Sequence, residues 1–414
     1  MDRQTTLVPD TMAILGPVTR SARIETLDIL RGFAVLGILA VNAIAFAWPI
    51  MTAPGSNTSP FDIGGANQWV TWATAVFLHN KCRTLFSMLF GVSIFLVGGE
   101  RRADPERERV LRRRLLVLAG FGLVHGLALW FGDILLLYAW SGLFMMWARS
   151  WPARRLMVVG VVLVAAFSLI EIYTEVAGLL HPFDPAAWAR SAAEGRAEIL
   201  TVVGHVRSGW LGAMTENLKA WSFLQGRSLA VFFMPTAGLM MIGLSLFKTG
   251  YLAGRSNDRR YVALLVAGVA ITALFGVSEW AIDTPGPAPY WALAISAGLD
   301  ALAPVVTLAW VGLLVLMTRH GWGVITRRLA PVGRMAFTNY LMQTVIMTTI
   351  FYMPWGPHLY GRVEPAGLAG IVAGVWALQL VWSPLWLSRF EMGPLEWVWR
   401  SLTYARPVAF VKRS

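Results

Sequence analysis

The sequence predicts an all-α integral membrane protein, a polytopic bundle of about ten transmembrane helices with both the N-terminus and the C-terminus cytoplasmic. The first observation is composition: 56% of the 414 residues are hydrophobic and only 14% are charged, whereas soluble domains carry about 25% charged residues. The mean hydropathy is +0.58. A soluble protein of this length has too little polar surface to cover so many apolar side chains, but a bilayer removes that constraint.

The second observation is a series of ten apolar runs, several of them near the length of about 20 residues that crosses a bilayer. The second run is interrupted by polar residues 79–83, so we interpret 69–78 as an interfacial approach and 84–99 as its membrane part. The third and fourth runs are short, and form either a hairpin of two spans or a partly re-entrant segment. The runs are 27–49, 69–99, 115–131, 134–148, 156–180, 229–247, 261–282, 291–317, 335–353 and 367–387.

The third observation is the distribution of lysine and arginine, which are concentrated in cytoplasmic segments of membrane proteins. With the N-terminus inside, 26 of the 35 basic residues lie in inside segments and six in outside segments. Seven arginines fall in the stretch 101–114, which we expect to be a cytoplasmic loop. This bias predicts an even number of spans with both termini inside.

The runs divide the chain into five parts. These are a cytoplasmic tail (1–26), an N-terminal transmembrane half (27–180), an extracytoplasmic segment (181–227), a C-terminal transmembrane half (228–388) and a cytoplasmic interfacial tail (389–414). Apolar spacing over 210–223 predicts an amphipathic helix in the outer segment, either a plain surface helix or a lid. Three prolines, at 285, 287 and 289, predict a rigid outer loop. Residues 1–22 lack the apolar core of a cleaved signal peptide, so the first span is expected to be an uncleaved anchor.

Composition also excludes several classes of function. The single cysteine, Cys82, excludes an intrachain disulfide framework. The net charge of +12 is spread over short clusters between apolar runs, so we expect no nucleic-acid binding. No His-Glu-x-x-His, Walker or Gly-x-Ser-x-Gly motif is present, and we expect no metal site.

Polar residues inside apolar runs are the candidates for function, because each is costly in a bilayer. Asp28 and Arg31 share a face at the start of the first helix. They form either an interfacial ion pair or an anchor for an anionic cytosolic ligand. Asn42 lies about 16 Å further along the same helix, where it either bonds to another helix or lines a site.

Histidines supply the candidate catalytic groups, because the pKa of imidazole lies near neutrality. His125 and Asp133 are eight residues apart, about 12 Å along a straight helix, so they meet only if the chain bends near Gly132. His125 is then either a general base or a histidine that bonds to another helix. His79, at the outer boundary of the second run, is either a catalytic residue or an interfacial polar residue.

Six strings resemble the YeiB-like bacterial membrane proteins, known as domain of unknown function 418, over nearly the whole chain. The resemblance implies a multi-pass protein of the bacterial cytoplasmic (inner) membrane. The opening reads Leu27-Asp28-Ile-Leu-Arg31-Gly, with Asn42 after it. The other strings are Leu85-Phe-Ser-Met-Leu-Phe-Gly91, His125 with Trp130-Phe-Gly-Asp133, Pro331-Val-Gly-Arg334-Met-Ala-Phe-Thr-Asn339-Tyr-Leu-Met-Gln343, Trp382-Ser-Pro384, and Arg389-Phe-Glu-Met-Gly-Pro-Leu-Glu396-Trp-Val-Trp-Arg400.

This family looks like a distant relative of transmembrane acyltransferases such as heparan-alpha-glucosaminide N-acetyltransferase. The resemblance implies transfer of an acyl group from cytosolic acyl-CoA, as co-substrate, to an envelope glycan, lipid or small molecule on the far side. Those enzymes use a histidine in the loop after the first span. Residues 50–68 contain none here, so His79 is the nearest candidate and His125 the alternative.

Each candidate then has a role in acyl transfer. His125, oriented by Asp133, would act as the base, and Asn42 or Gln343 would donate to the oxyanion. Arg31, Arg334 and the 101–114 stretch would hold coenzyme A phosphates; Asp28 and Asn339 complete the predicted binding residues.

Two other functions fit the same sequence: a transporter or flippase for a small molecule or lipid, and a non-catalytic membrane partner protein. The lipid bilayer is the expected environment in every case. The sequence leaves the oligomeric state open.

Overall fold

A computed structural model describes residues 24–52, 58–61, 64–101, 104–179, 184–284 and 288–412. Sixteen α-helices form within these ranges, and no strand does; the one antiparallel β-bridge joins Phe390 and Val411. The all-α prediction is thereby confirmed for the described residues. The helices are α1 (Glu25–Ala47), α2 (Gly65–Phe77), α3 (Lys81–Gly98), α4 (Pro105–Ala128), α5 (Leu135–Ala148), α6 (Ala153–Leu179), α7 (Pro185–Arg207), α8 (Trp210–Arg227), α9 (Phe233–Lys248), α10 (Asp258–Ile282), α11 (Tyr290–Asp300), α12 (Ala303–Arg319), α13 (Gly323–Arg334), α14 (Ala336–Phe351), α15 (Pro365–Arg389) and α16 (Pro394–Tyr404).

Five segments of the described chain are long and apolar enough to cross a membrane. They are α1, α2 with α3 (Gly65–Gly98), Ala153–Ala177 of α6, α10 and α15. The pair α11 and α12, bent by 60°, makes a sixth if it counts as one span, and α5 and α9 are shorter apolar helices. These lengths support a helical membrane protein and match five or six of the ten predicted runs.

The second apolar run differs in part from its prediction. Its helix breaks at 78–80, within one residue of the polar interruption, where Asn80 adopts a left-handed conformation (φ 56°). However, residues 65–98 together form a single 34-residue candidate span. The helix break divides the run where the sequence predicted a division, and the placement of 69–78 at the membrane interface stays a prediction. Helix α2 packs on α10 through a hydrogen bond from Trp72 Nε1 to the Gly276 carbonyl (2.7 Å).

The arginine-rich stretch 101–114 is also not a loop. Asp104 accepts hydrogen bonds from the backbone N–H groups of Glu106 and Arg107, and Pro105 occupies the first turn. This combination is a strong helix start. Helix α4 therefore begins ten residues before the apolar run, and five of the seven arginines lie on its first turns.

Residues 184–227, the described part of the segment predicted to lie outside, contain the predicted helix as α8 and a second helix, α7, that was not predicted. Helix α7 starts at Pro185 with Asp184 as its N-cap. Helix α8 contacts the end of α4, where Asn217 Nδ2 donates to the Gly126 carbonyl (2.9 Å). The 1–26 tail up to residue 23, and Pro285 and Pro287 of the outer loop, lie outside the described residues; Pro289 is the N-cap of α11.

Small residues allow the central helices to approach closely, as is common between membrane helices. A Cβ placed on Gly91 of α3 would lie 2.1 Å from the carbonyl oxygen of Met240 on α9. Only glycine fits such a contact. The α3–α9 pair consequently forms the centre of the largest apolar core, to which α1, α4 and α5 add Leu30, Leu115 and Tyr138.

Candidate functional site

His125 and Asp133 meet inside the bundle, as the predicted bend requires. Helix α4 ends at Ala128, the connection turns back over 129–134, and α5 begins at Leu135. His125 Nδ1 lies 2.9 Å from Asp133 Oδ1. The close approach of α4 to the start of α5 requires a glycine at position 122, because a Cβ there would lie 2.5 Å from the Leu136 nitrogen and 2.9 Å from Asp133 Oδ2.

The Asp133 carboxylate also begins helix α5. Its Oδ1 accepts from the Leu135 N–H (3.1 Å) and its Oδ2 from the Leu136 N–H (2.9 Å). These bonds hold the carboxylate at the N-terminus of α5, the positive end of its helix dipole. An ionised carboxylate can only accept, so Nδ1 of His125 donates and its Nε2 is left as an acceptor.

A threonine completes the arrangement. Thr344 Oγ1 on α14 lies 2.9 Å from His125 Nε2 and donates its hydroxyl proton to it. We call Asp133, His125 and Thr344 the buried triad. His125 is 1% exposed and Thr344 1%, and the ring of Tyr340, one turn before Thr344, lies 5.4 Å from the imidazole.

Sequence reasoning missed Thr344 and Tyr340. A threonine in an apolar helix often bonds to its own backbone and carries little cost, so its presence in the run is not a signal. The only available hint was position, since Thr344 directly follows Gln343 at the end of a family-like string.

Asn339 and Gln343 are part of a buried polar network between α1, α14 and α15. Both hydrogens of each side-chain amide are donated within the bundle, so an oxyanion contact by Gln343 would first require one of these bonds to break. The Asn339 amide donates to the Val332 carbonyl and Ser383 Oγ, and the Gln343 amide to the Val35 carbonyl and Gln379 Oε1.

The predicted residues of α1 are separate from the triad. Arg31 forms an ion pair with Asp28 at 3.2 Å, at the end of the bundle where α1 begins. Asp28 is 5% exposed. Asn42, further along α1, is half-buried, and no hydrogen bond within the described residues joins it to His125 or Asp133.

Arginines gather at this same end of the bundle. Arg114 of α4 stacks on Trp399 of α16 (3.8 Å to the ring centroid) and lies within electrostatic range of Arg31 and Arg400. We call these three arginines the arginine cluster. Arg334 lies at the end of α13 and donates to the Glu391 carbonyl (3.1 Å).

Glu396 of α16 links this end of the bundle to α14. Its carboxylate accepts from the N–H groups of Phe337 and Thr338 (2.8 and 3.1 Å) and from Thr338 Oγ1 (2.5 Å). It therefore caps the first turn of α14. Burial raises the pKa of Glu396 above its ordinary value, and the bonds from Thr338 oppose that shift only in part.

His79 does not join the triad. It faces a cavity of about 380 Å³, the polar cavity, and neither His125 nor Asp133 lines it. The cavity lies where the α2–α3 break and the α11–α12 break meet helices α6 and α10. Its polar lining consists of His79, Asn80, Arg83, Thr84, Ser168, Glu171, Glu175, Glu279, Ser296 and Asp300.

Comparisons with known proteins agree with the resemblance. The family model described as "Protein of unknown function (DUF418)" matches residues 246–406. The "Uncharacterized protein YeiB" of Escherichia coli (strain K12) is 32% identical, covering 91% of this chain and 95% of its own. The "Uncharacterized protein YxaH" of Bacillus subtilis (strain 168) is 31% identical, covering 96% and 99%. No solved structure matches.

Proposed function

The chain belongs to the YeiB-like DUF418 family, and we propose that it is an inner-membrane acyltransferase whose general base is His125. The buried triad carries this proposal. An aspartate that fixes the imidazole tautomer, and an imidazole nitrogen that accepts from a hydroxyl, are the groups that acyl transfer to a hydroxyl or amine requires.

In the proposed reaction an acceptor takes the position of the Thr344 hydroxyl. His125 Nε2 removes the acceptor proton as the acceptor oxygen or nitrogen attacks the thioester carbonyl. The C–S bond then breaks, the proton passes from His125 to the leaving thiolate, and the acyl group remains on the acceptor. Asp133 stabilises the imidazolium formed between these steps.

The arginine cluster is the proposed site for the phosphates of acyl-CoA, because guanidinium groups bind phosphate in bidentate fashion. From Arg114 to His125 is eleven residues of α4, about 16 Å along the helix. An extended thiol-bearing arm bound at the cluster would have to cover that distance to place its thioester beside the triad.

The topology that fits this proposal has ten spans and both termini in the cytoplasm. Its spans are α1, α2 with α3, α4, α5, α6, α9, α10, α11 with α12, α14 and α15. The arginine cluster then faces the cytosol, as the charge bias favours, and His125 lies in the outer half of the membrane. Helices α7 and α8 then lie outside.

The test uses the full chain in proteoliposomes with radiolabelled acetyl-CoA, following thiol release and label transfer to an envelope lipid and glycan extract. We expect His125→Gln to lower turnover by at least 100-fold, within the range typical of a general base. His320→Gln is the matched control, since His320 also pairs with an aspartate, Asp258 (2.8 Å), but is exposed. If His125→Gln retains wild-type turnover, the proposal is wrong.

A second candidate, a transporter, is supported by the polar cavity. Interrupted helices that meet at a polar site within the membrane are typical of transporters. Accumulation of an unmodified substrate in vesicles, with no acyl transfer, would favour this function over the first.

A further inference from the structure

The polar cavity carries an inference that is independent of the buried triad. We propose that it binds a small organic cation bearing a primary ammonium group. The site is assembled from two helix breaks and two uninterrupted helices, so residues distant in sequence converge on one volume of about 380 Å³. That volume holds a ligand of several non-hydrogen atoms, far more than a single water, whose share of liquid volume is about 30 Å³.

Carboxylates dominate the lining. Glu171, Glu175, Glu279 and Asp300 face the cavity, against one lining guanidinium, that of Arg83. The buried ammonium of Lys81 lies 4.0 Å from Asp300 Oδ1 and offsets a second carboxylate. The charge of the lining therefore favours a cation over an anion or a neutral ligand.

The four carboxylates differ in whether they already accept a side-chain hydrogen bond within the protein. Asp300 accepts from Asn80 Nδ2 (2.6 Å), and Glu279 accepts from Ser296 Oγ (2.5 Å). Glu171 and Glu175, four residues apart on α6, form no ion pair and no side-chain hydrogen bond within the described residues. They lie on one helix face, and are the two acceptors left for a ligand.

A buried hydroxyl also faces the cavity. Thr84 is 3% exposed, lines the cavity, and its side chain forms no hydrogen bond within the described part of the chain. A ligand in the cavity that hydrogen-bonds to this hydroxyl supplies the partner that the described residues do not. The imidazole of His79 also lines the cavity and forms no side-chain hydrogen bond within the described residues, although it lies within electrostatic range of Asp300.

The ligand chemistry follows from these groups. Carboxylate oxygens accept N–H donors, which a primary ammonium supplies and a quaternary ammonium lacks. In the proposed topology the ends of α6 and α10 at the cavity point to the outer side, so the ligand enters from outside the cell. This inference stands whether the protein transfers acyl groups or transports a substrate.

The experiment is isothermal titration of the full chain in nanodiscs with putrescine, and with choline and sodium chloride as comparison probes. We expect saturable putrescine binding, at least 10-fold tighter than choline binding. The double variant Glu171→Gln with Glu175→Gln should weaken putrescine binding at least 10-fold. Both residues are exposed, so the fold should tolerate the change.

The matched control is Glu194→Gln with Glu198→Gln, two exposed glutamates four apart on α7, outside the cavity. We expect this control to bind putrescine like the wild type. The inference is overturned if the wild type binds no ammonium probe, if sodium or choline binds as tightly as putrescine, or if the α6 double variant binds like the control. Loss of acyl transfer in His125→Gln with putrescine binding intact would separate this site from the triad.

Discussion

Replacing Asp133 by asparagine tests how the buried triad is held together. Oδ1 accepts from both His125 and Leu135, and Oδ2 accepts from Leu136. The amide that preserves most contacts keeps its oxygen at the Oδ1 position, and its NH2 then faces the Leu136 N–H. One buried N–H loses its acceptor, which costs about 1–3 kcal/mol. Losing the carboxylate charge also removes the group that would stabilise an imidazolium at His125.

We therefore expect Asp133→Asn to lower the thermal midpoint in detergent and to lower acyl transfer by about 10²–10⁴-fold. The upper figure is what the same change costs in serine proteases, where the imidazole takes the wrong tautomer. Midpoints are measured by fluorescence-detected size-exclusion chromatography after heating, and transfer by thiol release from acetyl-CoA in proteoliposomes.

The control is Asp258→Asn, which removes the carboxylate from an exposed aspartate–histidine pair on the surface. Exposed ion pairs contribute little to stability because water and salt screen them, so this variant should match the wild type in both assays. If Asp133→Asn also matches the wild type in both assays, the triad neither stabilises the bundle nor acts in transfer, and the reasoning is refuted.

Three further predictions concern single positions. Gly91→Ala should destabilise the protein by about 1–3 kcal/mol, because the added Cβ overlaps the backbone of α9. The control Gly120→Ala, whose added Cβ meets nothing within 4 Å, should be neutral or stabilising. Equal thermal midpoints for the two variants would contradict the close approach of α3 and α9. Thr344→Val should lower the midpoint yet retain transfer if the acceptor takes the hydroxyl position, whereas complete loss of transfer would indicate an acyl-threonine step. Burial raises the pKa of Glu396 in the folded protein. The stability that this group provides is therefore complete below its unfolded pKa of about 4.5 and is lost as the pH rises through its folded pKa. Glu396→Gln should flatten the decline of the thermal midpoint over that pH range, and parallel midpoint curves for the variant and the wild type would refute this prediction.

Much of the helical organisation could be predicted from apolar runs, because a bilayer imposes both a length and a composition on each span. The meeting of His125 and Asp133 was also predictable, since eight residues and a glycine-containing turn leave few other conformations for two buried polar groups. The start of α4 was not predicted, because its arginines suggested a loop while the signal for a helix lay in Asp104 and Pro105.

Of the buried triad, only the ionisable residues His125 and Asp133 could be predicted from the sequence. Thr344 lies 219 residues from His125 in the chain, and no local pattern indicates which helix packs against which. The polar cavity was missed for the same reason. His79 is an unusual residue in its run, but Glu171, Glu279 and Asp300 lie in three other apolar runs, and the two helix breaks that bring them together leave no local pattern that predicts the contact.

The cap that Glu396 places on α14 gives this bundle a mechanical connection between α16 and the buried triad. Thr338, held by Glu396, and Thr344, held by His125, are six residues apart on one rigid helix, about 9 Å along its axis. Helix α16 also carries Trp399, on which Arg114 stacks. An anion that pulled Arg114 away from Trp399 would shift the anchor of α14, and the hydroxyl in front of His125 would move with it. Filling the arginine cluster and opening the buried triad would then be one event. Under the proposed function, His125 would be uncovered only when acyl-CoA had bound.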